Sequence, residues 1–244
     1  MPCLQVFRSL VLLVASVSTA AAAGESASPS ARGGRVSWGR LIVSHADWGA
    51  HSDRDPQLAA FIRSGTSLNI NPDWHMIAPG DFPQLCAHPF IYTKDVAGIR
   101  NGRDVANVQQ YLQRGGFVCI DPCVSSWSAS RKTDFIRQHA EWFARLVPGS
   151  VTRLLPENHA LFHCYFDVKI DDLFTPDMLR AGASKPPDSG LFGVFLGERM
   201  IAAICTDGLE CGWPQTPQRT VGCMRMIVNI YVYAMTRDAA LGAK

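Results

Sequence analysis

The chain has 244 residues, 47% hydrophobic and 18% charged, which is enough length for one large domain with a sizeable buried core. A formal net charge of +2, with no Lys/Arg cluster able to track a phosphate backbone, excludes nucleic acid as a partner. No C-x2-C repeat occurs among the cysteines: Cys119 and Cys123 are four apart, Cys205 and Cys211 six apart. Spacing therefore predicts no structural zinc knuckle, and no metal or cofactor is assigned.

The N-terminus reads as an export signal. Arg8 is the only charge before Glu25, and the apolar run from Leu10 slides into the small residues Ala20 to Ala23. A positive n-region, an apolar h-region and an Ala-x-Ala site at Ala21 and Ala23 are the parts of a cleavable signal peptide. The run is shorter than the roughly 20 apolar residues a bilayer requires, so residues 1–23 are expected to be removed near Gly24. The mature chain is then periplasmic or secreted and has no membrane span. Cys3 precedes the run, so it cannot be a lipidated cysteine, and its loss leaves an odd count with at least one thiol free or paired to another chain. Residues 24–34 read as a flexible lead-in, 35–237 as a single domain and 238–244 as a tail.

From Arg35 onward strands and helices alternate. Val36 to Ser44 has strand composition, and Pro56 to Ser64 has helical spacing, with Leu58, Phe61 and Ile62 on one face. Leu68 to Ile77 is extended and broken at Pro72, and Pro79 to Pro83 reads as a loop. Pro89 to Thr93 is a short buried strand, Arg103 to Gln113 a helix ended by Gly115 and Gly116, and Phe117 to Ile120 the next buried strand. Ser130 to Leu146 is a long amphipathic helix closed by Pro148-Gly149, and Val151 to Leu155 a strand. Asp167 to Ser189 reads as a polar insertion, Gly190 to Phe195 and Met200 to Thr206 as a hairpin, and Val221 to Thr236 as a helix. Alternation of this kind predicts an α/β fold: a mostly parallel sheet, doubly wound, with helices on both faces.

In such a fold ligands and chemistry gather at the carboxyl ends of the strands. Those ends hold His45, Asp47 and Trp48 after the first strand, Lys94 and Asp95 after the third, and Asp121 and Cys123 after Phe117 to Ile120. Asp207, Glu210, Cys211 and Trp213 follow the hairpin.

Five segments together carry a family resemblance: His88-Pro-Phe-Ile-Tyr92, Tyr111-Leu-Gln-Arg-Gly-Gly-Phe-Val-Cys-Ile-Asp-Pro-Cys123, Pro156-Glu-Asn-His-Ala-Leu-Phe162, Asp207-Gly-Leu-Glu-Cys-Gly-Trp213 and Val228-Asn-Ile-Tyr-Val-Tyr-Ala234. In order and spacing, from about Arg35 to Arg237, they resemble the bacterial exported domain-of-unknown-function family 4159, which is itself similar to the class I glutamine amidotransferases. The resemblance implies a three-layer doubly wound sheet, flavodoxin-like or glutamine amidotransferase-like. An amidotransferase would place a cysteine nucleophile on a tight turn after a strand and a His-acid pair late in the chain. Here Pro122 and Val124 flank Cys123 where an elbow needs small residues, and no His follows His163, so the triad is missing.

Cys123 is open to three roles: a nucleophile with His159 or His163 as base, a disulfide partner of Cys211, or a packed thiol. Asp121 and Asp207, each after an apolar strand, are either an acid-base pair (or cation ligands with His163) or caps of the following turns. Asp47, Trp48, Asp207 and Trp213, with Trp127, are candidates for a binding rim. Two functions follow. The preferred one is a binding or assembly module of the cell envelope, taking an envelope protein or a small ligand. The other is a periplasmic hydrolase working through Asp121, Asp207 and His163.

Overall fold

The computed structural model describes residues 36–43, 49, 51–124, 127–173, 190–213 and 217–241, the last segment by backbone alone at 217–220 and 237–241. The expected signal peptide and lead-in, Asp47, Trp48 and most of the 167–189 insertion lie outside the described residues. The domain is α/β, built on one seven-stranded, mostly parallel sheet.

Its strands are β1 (Gly39–Leu41), β2 (His75–Ile77), β3 (Phe90–Thr93), β4 (Phe117–Ile120), β5 (Ser150–Leu154), β6 (Leu191–Leu196) and β7 (Arg199–Cys205). They lie in the order β2-β1-β3-β4-β7-β6-β5. All pairs from β2 to β7 are parallel, and only β6 runs against both its neighbours. The helices are α1 (Asp55–Gly65), α2 (Phe82–Ala87), α3 (Gly102–Gln113), α4 (Ala129–Leu146), the single turn α5 (Leu209–Gly212) and α6 (Pro217–Leu241). Among the described residues no helix is long and apolar enough to cross a membrane.

Strand alternation separates two cores. On one face Trp38, Phe90, Tyr92, Phe117, Cys119 and Cys205 meet Leu58 and Ile62 of α1 and the buried side of α6. On the other, Leu41, Ile91, Val118, Ile120 and Ile204 meet α3 and α4 through Tyr111, Leu112, Trp142 and Phe143. β3 and β4 are buried throughout, so they read in the sequence as short continuous apolar runs without alternation.

Three segments depart from expectation. Among the described residues of the extended stretch Val36 to Ser44 only Gly39–Leu41 forms a strand, and of Leu68 to Ile77 only His75–Ile77. Their leading residues make one isolated bridge, Val36 to Ile70, and the ladder resumes only at Gly39 and His75, because the chain around Pro72 bulges out of register with the first strand. The supposed loop Pro79 to Pro83 instead opens a helix. The Asp81 carboxylate accepts the Gln84 N–H at 3.1 Å as N-cap, and Pro83 sits in the first turn, where its missing donor costs nothing.

The connection β1 to β2 runs outward and the next one returns to β3 on the far side of β1. That reversal puts a crevice at the carboxyl ends of β1 and β3, beside those of β4 and β7. The turn entering β4 is held by Tyr111, whose hydroxyl lies 2.9 Å from the His88 carbonyl and accepts the Phe117 N–H at 3.1 Å. A Cβ on Gly116 would collide with the Tyr111 ring. Gly116→Ala is expected to displace that ring and destabilise the domain by about 1–3 kcal/mol, read as a lowered midpoint in urea unfolding.

Candidate functional site

The carboxyl edge is built on buried charge. Arg40 of β1 is only 2% exposed. It donates through Nε to Asp55 at 2.7 Å and through Nη2 to both Asp55 and, at 2.5 Å, Glu210. Its guanidinium also lies 4.9 Å from the ring centroids of Trp74 and Tyr92. Lys94, at the end of β3, is ion-paired to the other oxygen of Glu210. The Tyr92 hydroxyl donates to Asp121 at 2.6 Å and lies 3.2 Å from Glu210. Two cations thus serve three carboxylates from β1, α1, β3, β4 and α5.

Burial dominates the electrostatics of this cluster. It lifts the Asp55 and Asp121 carboxyls above their ordinary values against the pull of Arg40 and Lys94. It also lowers Lys94 despite the attraction of Asp121. Desolvation that outweighs pairing in all three groups means the network secures arrangement more than net stability.

Asp121 and Asp207 stand at the same edge, since β4 and β7 are parallel neighbours, but neither reaches solvent. Asp121 accepts the Leu209 and Glu210 amides at 2.8 and 2.9 Å, so it caps α5. Asp207 lies 3.8 Å from the buried ammonium of Lys132 on α4. Asp121 is thereby committed to holding α5, and Asp207 is enclosed beside α4.

What the edge presents outward is a thiol and imidazole cluster. Cys123, two residues past Asp121, is exposed. Its Sγ lies 3.6 Å from His51 Nε2 and 3.5 Å from Cys211 Sγ. The three donor atoms fall within 4.8 Å of one another. Burial pushes the Cys211 thiol up to about 12, and both sulfurs are free thiols.

Local backbone explains how three distant segments meet here. His51 has φ +63°, and among the described residues it is the only non-glycine at positive φ. This left-handed residue precedes the 3-10 turn Ser52–Arg54 that leads into α1. On the other side, Gly208 at φ +66° starts α5, and a Cβ there would sit 3.0 Å from Val124 and 3.4 Å from Cys211 Sγ. Only glycine accepts both the conformation and the approach. Asp121 then fixes α5 and with it Cys211.

The remaining sequence candidates lie elsewhere. His163 does not face Cys123: its Nδ1 lies 2.6 Å from Asp167 and its Nε2 2.8 Å from the Glu157 carbonyl. His159 caps the next turn, accepting the Leu161 amide at 3.2 Å and packing against Tyr233. The imidazole beside Cys123 is His51, which sequence reasoning passed over because it lies 72 residues away and beyond the strand end. Trp213 is fully buried in the α6-side core and cannot line a rim. Trp127 packs on Phe135 and Arg131.

A family model described as a domain of unknown function, DUF4159, matches residues 37–235, and the chain belongs to that family. No curated protein matches it. The geometry around Arg40 gives a first test of what the edge depends on. Arg40→Met strands the buried Asp55 carboxylate and leaves Glu210 to Lys94 alone, and is expected to cost about 3–5 kcal/mol. Asp121→Asn keeps one acceptor but sets its NH2 against the N–H of either Leu209 or Glu210, and is expected to cost about 1–3 kcal/mol. Denaturant unfolding of both variants checks the order.

Proposed function

We propose that this DUF4159 protein is an exported binding module of the cell envelope, centred on His51, Cys123 and Cys211. One observation carries the reading: the acids at the strand ends, Asp121 and Asp207, are sealed from solvent, so the chemistry offered to solvent there is a set of soft donors. At the carboxyl ends of β1, β2 and β3 lies an open groove of about 680 Å³, lined by Ile42, Val43, Pro79, Ile99, Arg100 and Asp104 among others. It is large enough for a small ligand or a segment of an envelope partner. We take the layering as doubly wound, of the amidotransferase-like kind, but without amidotransferase chemistry. Cys123 is not at positive φ, as a strained nucleophile elbow would be, and its imidazole neighbour precedes it in the chain.

The alternative, a periplasmic hydrolase working through Asp121 and Asp207, draws support from their common edge. Its difficulty is physical: a general acid or base must come within hydrogen-bond reach of substrate, and both carboxylates are enclosed. Complementation of a deletion strain separates the two readings. Well-folded Asp207→Asn is expected to restore the phenotype and Cys123→Ser to fail. A hydrolase would lose about a hundredfold or more in rate with the carboxylate, so failure of a stable Asp207→Asn protein would shift the assignment to the enzyme.

Export rests on Arg8, the apolar run and the small residues before Gly24. N-terminal sequencing of the protein recovered from the envelope fraction is expected to begin near Gly24. Recovery of a species that retains Arg8 and sediments with membranes would refute it.

A further inference from the structure

We propose that His51, Cys123 and Cys211 form a binding site for a soft transition-metal ion, with zinc as the fitting divalent case. The proposal rests on the reading of this cluster as the module's centre and names what it binds first.

The distances carry the argument. Zinc bonds of about 2.3 Å to sulfur and about 2.0–2.1 Å to nitrogen, at tetrahedral angles, put two sulfurs about 3.8 Å apart and a sulfur and nitrogen about 3.6 Å apart. The observed separations are 3.5 Å for Cys123 to Cys211 and 3.6 Å for Cys123 to His51, with all three atoms inside 4.8 Å. A disulfide needs sulfurs about 2.05 Å apart, well short of this spacing. Nor is this the setting of a packed apolar thiol. Cys119, Cys205 and Cys223 are buried in the core, whereas Cys123 is exposed.

Chemistry and support agree with that geometry. Two thiolates and an imidazole form a soft donor set that favours zinc or cuprous copper over magnesium or calcium. Two thiolates would balance a divalent charge, while Lys94 is already matched by Glu210. The donors are also held from behind: left-handed backbone places His51, and the Asp121 bonds to the α5 amides place Cys211. Three protein donors with one exposed member leave a fourth coordination position facing solvent. That is the form of zinc sites that accept water or an incoming ligand, as opposed to closed structural sites.

Cobalt(II), which takes zinc's tetrahedral positions, makes the site visible. Titrated into metal-free, reduced protein, it is expected to bind at one equivalent with thiolate charge-transfer absorption, and added Zn2+ should displace it. Cys123→Ser and Cys211→Ser should each diminish those bands, and His51→Ala should weaken affinity by about tenfold or more. Circular dichroism confirms that each variant is folded. No uptake by the folded wild type, or uptake unchanged in both cysteine variants, would overturn the metal site. Iodoacetamide applied to the same metal-free protein separates the two readings. Alkylation of Cys123 without metal uptake refutes the ion but leaves the exposed cluster as centre. Resistance of Cys123 to alkylation, together with no uptake, refutes both.

Discussion

Arg40 is a full positive charge in the interior of a parallel sheet, and the carboxyl edge is arranged around neutralising it. Its guanidinium is held in plane by Asp55 and Glu210 and flanked by Trp74 and Tyr92, a combination that lysine's point charge could not reproduce. Because Asp55 opens α1, Glu210 sits on α5 and Lys94 ends β3, matching these charges fixes where three separate segments leave the sheet. Buried pairs seldom add net stability. Here burial pushes Asp55, Lys94 and Asp121 toward their neutral forms against the pull of their partners. What the network secures is position.

The His51, Cys123 and Cys211 cluster inherits that position. Cys123 follows Asp121 by two residues, and Asp121 is bonded to the amides that start the turn carrying Cys211. His51 lies four residues before Asp55 in the segment that Arg40 anchors. Each donor is therefore tied through at most a few bonds to the same buried charges. Backbone in the left-handed region at His51 and Gly208 is tolerated because the surroundings determine it so fully. The arrangement leaves soft donors outside and hard oxygen acids inside, and that division separates a binding centre from a carboxylate-driven catalyst.

The sequence by itself determined the fold class. Continuous apolar runs at Phe90–Thr93 and Phe117–Ile120, alternating with amphipathic helices, can be satisfied only by strands buried on both faces, and the structure has that sheet. It also located the edge where chemistry gathers, since parallel strands must end on one side. It left the state of the polar groups there undetermined. Asp121 and Asp207 look alike in sequence as acids after strands, and their burial depends on which amides and ammonium groups fold over them. Trp213 looked like a rim aromatic and lies in the core, because the α5 turn and α6 close around it. His159 and His163 were the bases the sequence offered Cys123, yet His51 stands beside the sulfur. Ligand spacing is informative only when donors share one local turn. Donors 72 and 88 residues apart are brought together by sheet order and buried ion pairs, so only the tertiary structure could decide which side chains meet.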